Sequence, residues 1–162
     1  MANQKEEPLK EFLWQVRQIP GYNRDLLEKK NLLLAMTLAN RPEKFLDVKD
    51  PENWKPLVDY HLMRISLRLG LVYLEKEIQK TIKKREWVHF GIEREIRYAV
   101  FNAVSEIIKE SDRPMSFIDE KLWLSRRYCP EMEAPDCPKC VFDSICKKRI
   151  DLFQPVFRTT AY

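Results

Sequence analysis

The chain carries four cysteines, and all of them fall in one stretch near its end: Cys129, Cys137, Cys140 and Cys146, at spacings x7, x2 and x5. Four soft sulfur donors so close together, with no other cysteine in 162 residues, form the pattern of a loop that closes round one metal centre. Disulfides compete with that reading. Cys137 and Cys140 are too close in sequence for an easy bridge, and Met1 leads into polar residues rather than a secretory leader, so the thiols are expected to stay reduced in a cytoplasmic setting. A structural Zn2+ also competes, because a Cys-x2-Cys knuckle suits tetrahedral zinc. All-cysteine zinc sites are usually built from two such pairs across a longer spacer, whereas here one pair is flanked by two single cysteines at short range. That arrangement fits a [4Fe-4S] cubane, one iron per cysteine, better, with Zn2+ as the alternative.

The remainder of the chain reads as helical. Glycine is scarce at three residues, apolar residues recur at helical spacing, and no apolar run approaches membrane length. The expected fold is all-α, a compact domain of about six helices with a C-terminal cysteine-ligated [4Fe-4S] loop. It is read as one domain over 1–162: N-terminal helices in 1–55, core helices in 56–128, the cysteine loop in 129–146, and an apolar tail in 147–162 that packs back. Pro8 suits a first helical turn, with Leu9, Phe12, Leu13 and Val16 following at helical spacing. Asn23 is the expected cap of a second helix, whose face includes Leu26, Leu27 and Leu33. Further helices are expected over 73–85 and 93–109, and Ser116-x-x-Asp119 is a capping signature for a last one. His89 is read as structural.

Between them lies the second informative stretch, Val58-Asp59-Tyr60-His61-Leu-Met-Arg64-Ile-Ser-Leu-Arg68-Leu69-Gly70. Val58, Leu62, Ile65, Leu69 and Val72 repeat as one buried seam, Gly70 is placed to stop the helix, and Asp59 is placed to cap its start.

These two stretches together resemble the helix-hairpin-helix DNA glycosylases of the endonuclease III kind. Those enzymes carry Val-Asp-x-His-x-x-Arg with a second Arg four residues on, matched here by Val58, Asp59, His61, Arg64 and Arg68. Their cluster loop reads C-x6-C-x2-C-x5-C, so the last three cysteines match and the first gap is one residue longer. The resemblance covers roughly residues 57–146. It implies that Asp59 is the catalytic carboxylate, stabilising the positive charge that builds on a sugar as an N-glycosidic bond breaks. It also implies substrate or phosphate contacts from Tyr60, Arg64, Arg68, Arg126 and Arg127. A solvent-reachable cavity at Asp59 walled by Tyr60 and Tyr98 would mark an enzyme, whereas a buried Asp59 that only caps its helix would mark a non-enzymatic protein.

The sequence departs from that family in two places. The interval between the second helix and Val58 holds two short turns and no glycine-rich hairpin, so the expected phosphate anchor and any lysine nucleophile are missing. The loop between the first two cysteines carries Glu131, Glu133 and Asp136 and no cation, which would repel a DNA backbone. A weaker resemblance to the queuosine-salvage nucleoside glycosylases, at Asp59 to His61, Leu67 to Val72, Glu93 to Ala99 and Asp119 to Trp123, would account for both. The partners implied are therefore DNA or a nucleoside, with a partner subunit or a second copy completing the pocket. A non-catalytic, cluster-stabilised nucleic-acid- or protein-binding module is the alternative. The net charge of +4 permits a nucleic-acid partner without arguing for one.

Overall fold

A computed structural model describes residues 7–162. The residues after Met1 that bear on a leader lie outside that range. Among the described residues there are six α-helices and no strand: α1 (Pro8–Val16), α2 (Lys29–Asn40), α3 (Tyr60–Leu69), α4 (Lys76–Lys83), α5 (Phe90–Glu110) and α6 (Met115–Leu124). Three short 3-10 turns cover Pro51–Asn53, Ser125–Arg127 and Cys137–Lys139, and one isolated parallel bridge joins Trp87 to Val156. None of these helices is long and apolar enough to cross a membrane. The chain divides into two compact units, Val58–Arg158 and a second made of the residues up to Leu57 with Thr159–Tyr162.

In the N-terminal unit α1 packs on α2 through Leu9, Leu13 and Val16. Pro8 does stand in the first turn, and the amides it leaves unpaired are met from afar: the Asp50 carboxylate accepts from Leu9 N and Lys10 N, both at 2.9 Å. The second helix begins later than Asn23 implies. Asp25, not Asn23, accepts the amides of Leu27 and Lys29, so Leu26 and Leu27 belong to the turn before α2. Glu28 ends that turn in the left-handed region at φ 57°. Its carboxylate is buried; burial alone would push its pKa up, yet hydrogen bonds from Lys55 (2.9 Å) and Arg17 (3.1 Å) hold it below the usual carboxylate value.

In the C-terminal unit α3 is the central element, packed against α5, α6 and the turn after α6. The seam of Leu62, Ile65 and Leu69 is buried as its spacing predicts, but so are Met63 and Leu67 on the other faces, because helices and the tail surround α3. Gly70 ends it at φ 84°, with Leu71 N and Gly70 N returning to the carbonyls of the last turn. Two expected starts move. The fourth helix begins at Lys76 rather than Tyr73, and the last begins at Met115 with Pro114 as its N-cap, so Ser116 sits inside the first turn and caps nothing. His89 is structural: it is the N-cap of α5, its Nδ1 accepting from Gly91 N at 3.1 Å. The tail returns to the unit, with Leu152 fully buried and Val88 N donating to Val156 O at 3.1 Å.

Replacing Asp50 by Ala leaves two N-terminal amides of α1 without an acceptor, one of them buried, and is expected to cost about 1–3 kcal/mol. Chemical denaturation of the Asp50→Ala chain checks this, with Asp50→Asn expected to recover part of the loss.

Candidate metal centre

The four cysteines, which the sequence spreads over one loop, line a single tight cavity of about 30 Å³. Ile65 and Leu69 of α3, Ser125, Tyr128, Pro135, Phe142 and Ile150 complete its wall, together with Arg68. Short local hydrogen bonds shape the loop around it. Cys129 N donates to Ser125 O at 2.9 Å, so the first cysteine leaves directly from the turn that ends α6. Asp136 N donates to Tyr128 O at 2.8 Å and closes the x7 gap, while Cys140 N to Cys137 O (2.9 Å) and Cys146 N to Phe142 O (2.8 Å) fold the other two spacings. The x7 gap is thus accommodated as a closed side loop. All four cysteines are free thiols, half-buried, and burial pushes the Cys140 thiol up, helped by the charge of the other three cysteines. Among the described residues no group of three or more His, Cys, Asp or Glu stands close enough to hold a single metal ion.

Helix α3 grips this loop. Arg68, buried, donates through Nε to Leu152 O (2.9 Å) and through Nη1 to Pro130 O (2.8 Å) and Cys129 Sγ (3.2 Å), with Phe153 against its guanidinium. Arg64, 1% exposed, lies one turn back and donates to Gln154 Oε1 (3.2 Å) and to His61 Nδ1 (3.1 Å), with Glu131 Oε2 at 3.7 Å. The backbone of α3 continues the grip, since Lys147 N and Arg149 N donate to Leu69 O and Arg68 O, both at 3.1 Å. Gly70 is required at this approach: a Cβ there would stand 2.5 Å from Lys147 Cγ.

Arg64 and Arg68, expected as substrate or phosphate contacts, are thus buried and engaged by the cysteine loop and the tail. Of the other expected contacts, Tyr60 and Arg127 are exposed, and Arg126 places its guanidinium carbon over the Trp123 ring, 3.6 Å from the centroid. Glu131, an expected source of repulsion toward DNA, is turned inward to Arg64 and accepts from Gln154 Nε2 at 2.6 Å. The basic end of α4 is likewise engaged: Arg85 donates to Glu131 O and Met132 Sδ, both at 3.2 Å, and Lys83 pairs with Asp151. The inward turn of Glu131, Gln154 and Arg85 has no local signal, because each partner lies 23 to 90 residues away.

At the other end of α3 Asp59 is 7% exposed, and its Oδ1 accepts from Leu62 N at 3.0 Å, the helix cap expected from the sequence. Arg97 of α5, which the sequence reading missed, fixes the residue before it by donating from Nε and Nη2 to Val58 O at 3.0 and 2.9 Å. His61 stacks on Tyr60 with centroids 4.0 Å apart. Burial lowers the His61 pKa; Asp59 opposes this, and the nearby Arg64 and Arg126 charges add to it. The bond from Arg64 makes Nδ1 an acceptor, so the ring proton of the neutral form sits on Nε2. Asp59 lines neither the cysteine cavity nor the two larger grooves of the unit.

Comparison with family models, with curated proteins and with solved structures finds no match to the chain.

The Arg68→Lys substitution tests the grip. One ammonium cannot serve Leu152 O, Pro130 O and Cys129 Sγ in the geometry of a planar fork, so a loss of about 2–4 kcal/mol in unfolding free energy is expected.

Proposed function

We propose that the chain is an iron-sulfur protein on a scaffold of the endonuclease III kind, in which Cys129, Cys137, Cys140 and Cys146 hold a [4Fe-4S] cluster. The observation that carries this reading is the convergence of all four thiols on one cavity under α3, with an arginine and a backbone amide aimed at their sulfurs: Arg68 at Cys129 and Lys148 N at Cys146, both at 3.2 Å. Such donors are the kind that set the properties of a thiolate-bound cluster. When bound, the cluster supplies four iron-thiolate bonds that cross-link the loop. The protein's own residues do the rest: α3 holds the loop through its arginines, and Ile65, Leu69, Phe142 and Ile150 form the apolar part of the wall beside the half-buried sulfurs.

Anaerobic preparation is expected to give a brown protein with about four irons per chain. Cys137→Ser should lose the visible absorption and melt earlier. A colourless chain that carries zinc instead overturns the iron assignment.

A second reading concerns Asp59, which sits at the start of the helix whose far end meets the cysteine loop. In this reading the chain hydrolyses the N-glycosidic bond of a damaged or modified base, in DNA or in a free nucleoside. The C1′–N bond breaks with its electron pair leaving on the base nitrogen, which takes up a proton. The Asp59 carboxylate stabilises the cationic sugar, and water adds at C1′ and gives up its proton. The cap and the carboxylate role coexist in one side chain, since a helix N-terminus favours the ionised form. Asp59→Asn separates the two, because Asn caps a helix nearly as well. If Asp59 is catalytic, base release falls at least about a hundredfold while the melting temperature stays within a few degrees. Unchanged release takes the catalytic role away from Asp59, and no release by the native chain from either substrate leaves the non-catalytic module as the function.

A further inference from the structure

A different face of the C-terminal unit has no role in the cysteine centre. Trp87, Phe157 and Phe90 form a ring cluster, with centroids 5.7 Å apart for Trp87 and Phe157 and 5.8 Å for Phe90 and Phe157. Trp87 is 56% exposed and Phe90 49%. Three aromatic rings grouped at a surface are costly to leave wet, and their faces offer stacking area for any planar partner. They are also held in place. Trp87 is fixed by the parallel bridge to Val156, Phe90 is the first residue of the longest helix, and Phe157 comes from the tail that the bridge brings back.

Charge around the rings points to the kind of partner. Trp87 forms one wall of a groove of about 380 Å³ between α4 and the start of α5, lined also by Lys80, Lys84, Thr81 and His89. Arg94 lies over the Phe90 ring at 5.3 Å, and Arg158 is exposed beside Phe157. Two carboxylates, Glu77 and Glu86, share the groove and pair with Lys80 (2.8 Å) and Lys84 (3.7 Å). Both are exposed surface pairs, which contribute little to stability. Within the groove Lys80 and Lys84 are balanced by Glu77 and Glu86, so the excess positive charge at this face comes from Arg94 and Arg158 beside the rings, and His89 Nδ1 is already used by Gly91 N, so Nε2 is its remaining donor.

We infer that the Trp87–Phe90–Phe157 face binds single-stranded nucleic acid, with unpaired bases stacked on the exposed rings and the backbone phosphates running along Lys80, Lys84, Arg94 and Arg158. Unstacked bases need aromatic faces and a cationic track side by side, and a duplex, whose bases are covered, makes no use of the rings. This inference does not rest on the iron-sulfur or glycosidase readings, since none of its residues touches the cysteines or Asp59.

The test uses the whole chain and fluorescence anisotropy of labelled oligothymidylate, a blunt DNA duplex and an acidic peptide rich in leucine. The single strand is expected to bind more tightly than the duplex, with affinity falling as salt rises. Trp87→Ala should weaken single-strand binding about tenfold, whereas Trp87→Phe, which keeps a ring, should retain most of it. The Lys80→Gln/Lys84→Gln chain should lower the slope of log affinity against log salt by about 1.4, about 0.7 for each phosphate contact. Trp14→Ala, which removes an exposed ring from α1, serves as the control and should change nothing. Equal binding by Trp87→Ala and the native chain, both with native melting curves, overturns the inference. So does duplex binding as tight as single-strand binding, or binding of the acidic peptide alone.

Discussion

Two arginines inside a helix that has no exposed face beyond its first turn are the constraint on which the C-terminal unit depends. Removing a guanidinium from water costs several kcal/mol unless its donors are met, and α3 brings two of them into the interior one turn apart. Their acceptors cannot come from α3 itself, apart from His61. They come from the cysteine loop and from the tail: Pro130 O, Cys129 Sγ, Leu152 O and Gln154 Oε1. The loop is therefore not an appendage to the helices. It supplies the counterparts that allow the central helix to be buried, and the cysteine cavity forms where loop and helix meet.

The same arrangement gives α3 two ends with different chemistry. Its start carries Asp59 as a cap under the Arg97 clamp on Val58 O, and its end delivers the carbonyls of Arg68 and Leu69 to the strap that follows Cys146. Rotation of α3 would disturb both ends at once, because Arg64 and Arg68 lie between them and reach the same loop. The position of Asp59 and the integrity of the cysteine loop are thus mechanically linked through one helix.

Much of this was legible in the sequence where the signal is local. The start of α3 at Asp59, its stop at Gly70, Pro8 in the first turn of α1 and the grouping of the cysteines all rest on residues within a few positions of one another. Local signals failed where two competed. Asp25 outbid Asn23 for the amides before α2 because its carboxylate reaches two of them, and Pro114, which cannot continue a helix backward, set the start of α6 ahead of the Ser116 signature. Distant partners were invisible. A cation run such as Lys83 to Arg85 looks solvated in one dimension, and only the return of the chain shows that Lys83 and Arg85 face Asp151 and Glu131. The buried seam of α3 shows in the spacing of its apolar residues, but one seam does not announce that the opposite faces are covered too.

The separations along the chain have a consequence for how the protein comes into being. The acceptors of Arg64 and Arg68 in the loop and tail lie 61 to 90 residues downstream. During synthesis α3 leaves the ribosome with its arginines unmatched, and it has to stay hydrated until the last thirty or so residues arrive. Burial of the central helix is then the closing act of folding, and a chain truncated before Cys129 retains every helix in its code while lacking the groups that let them condense.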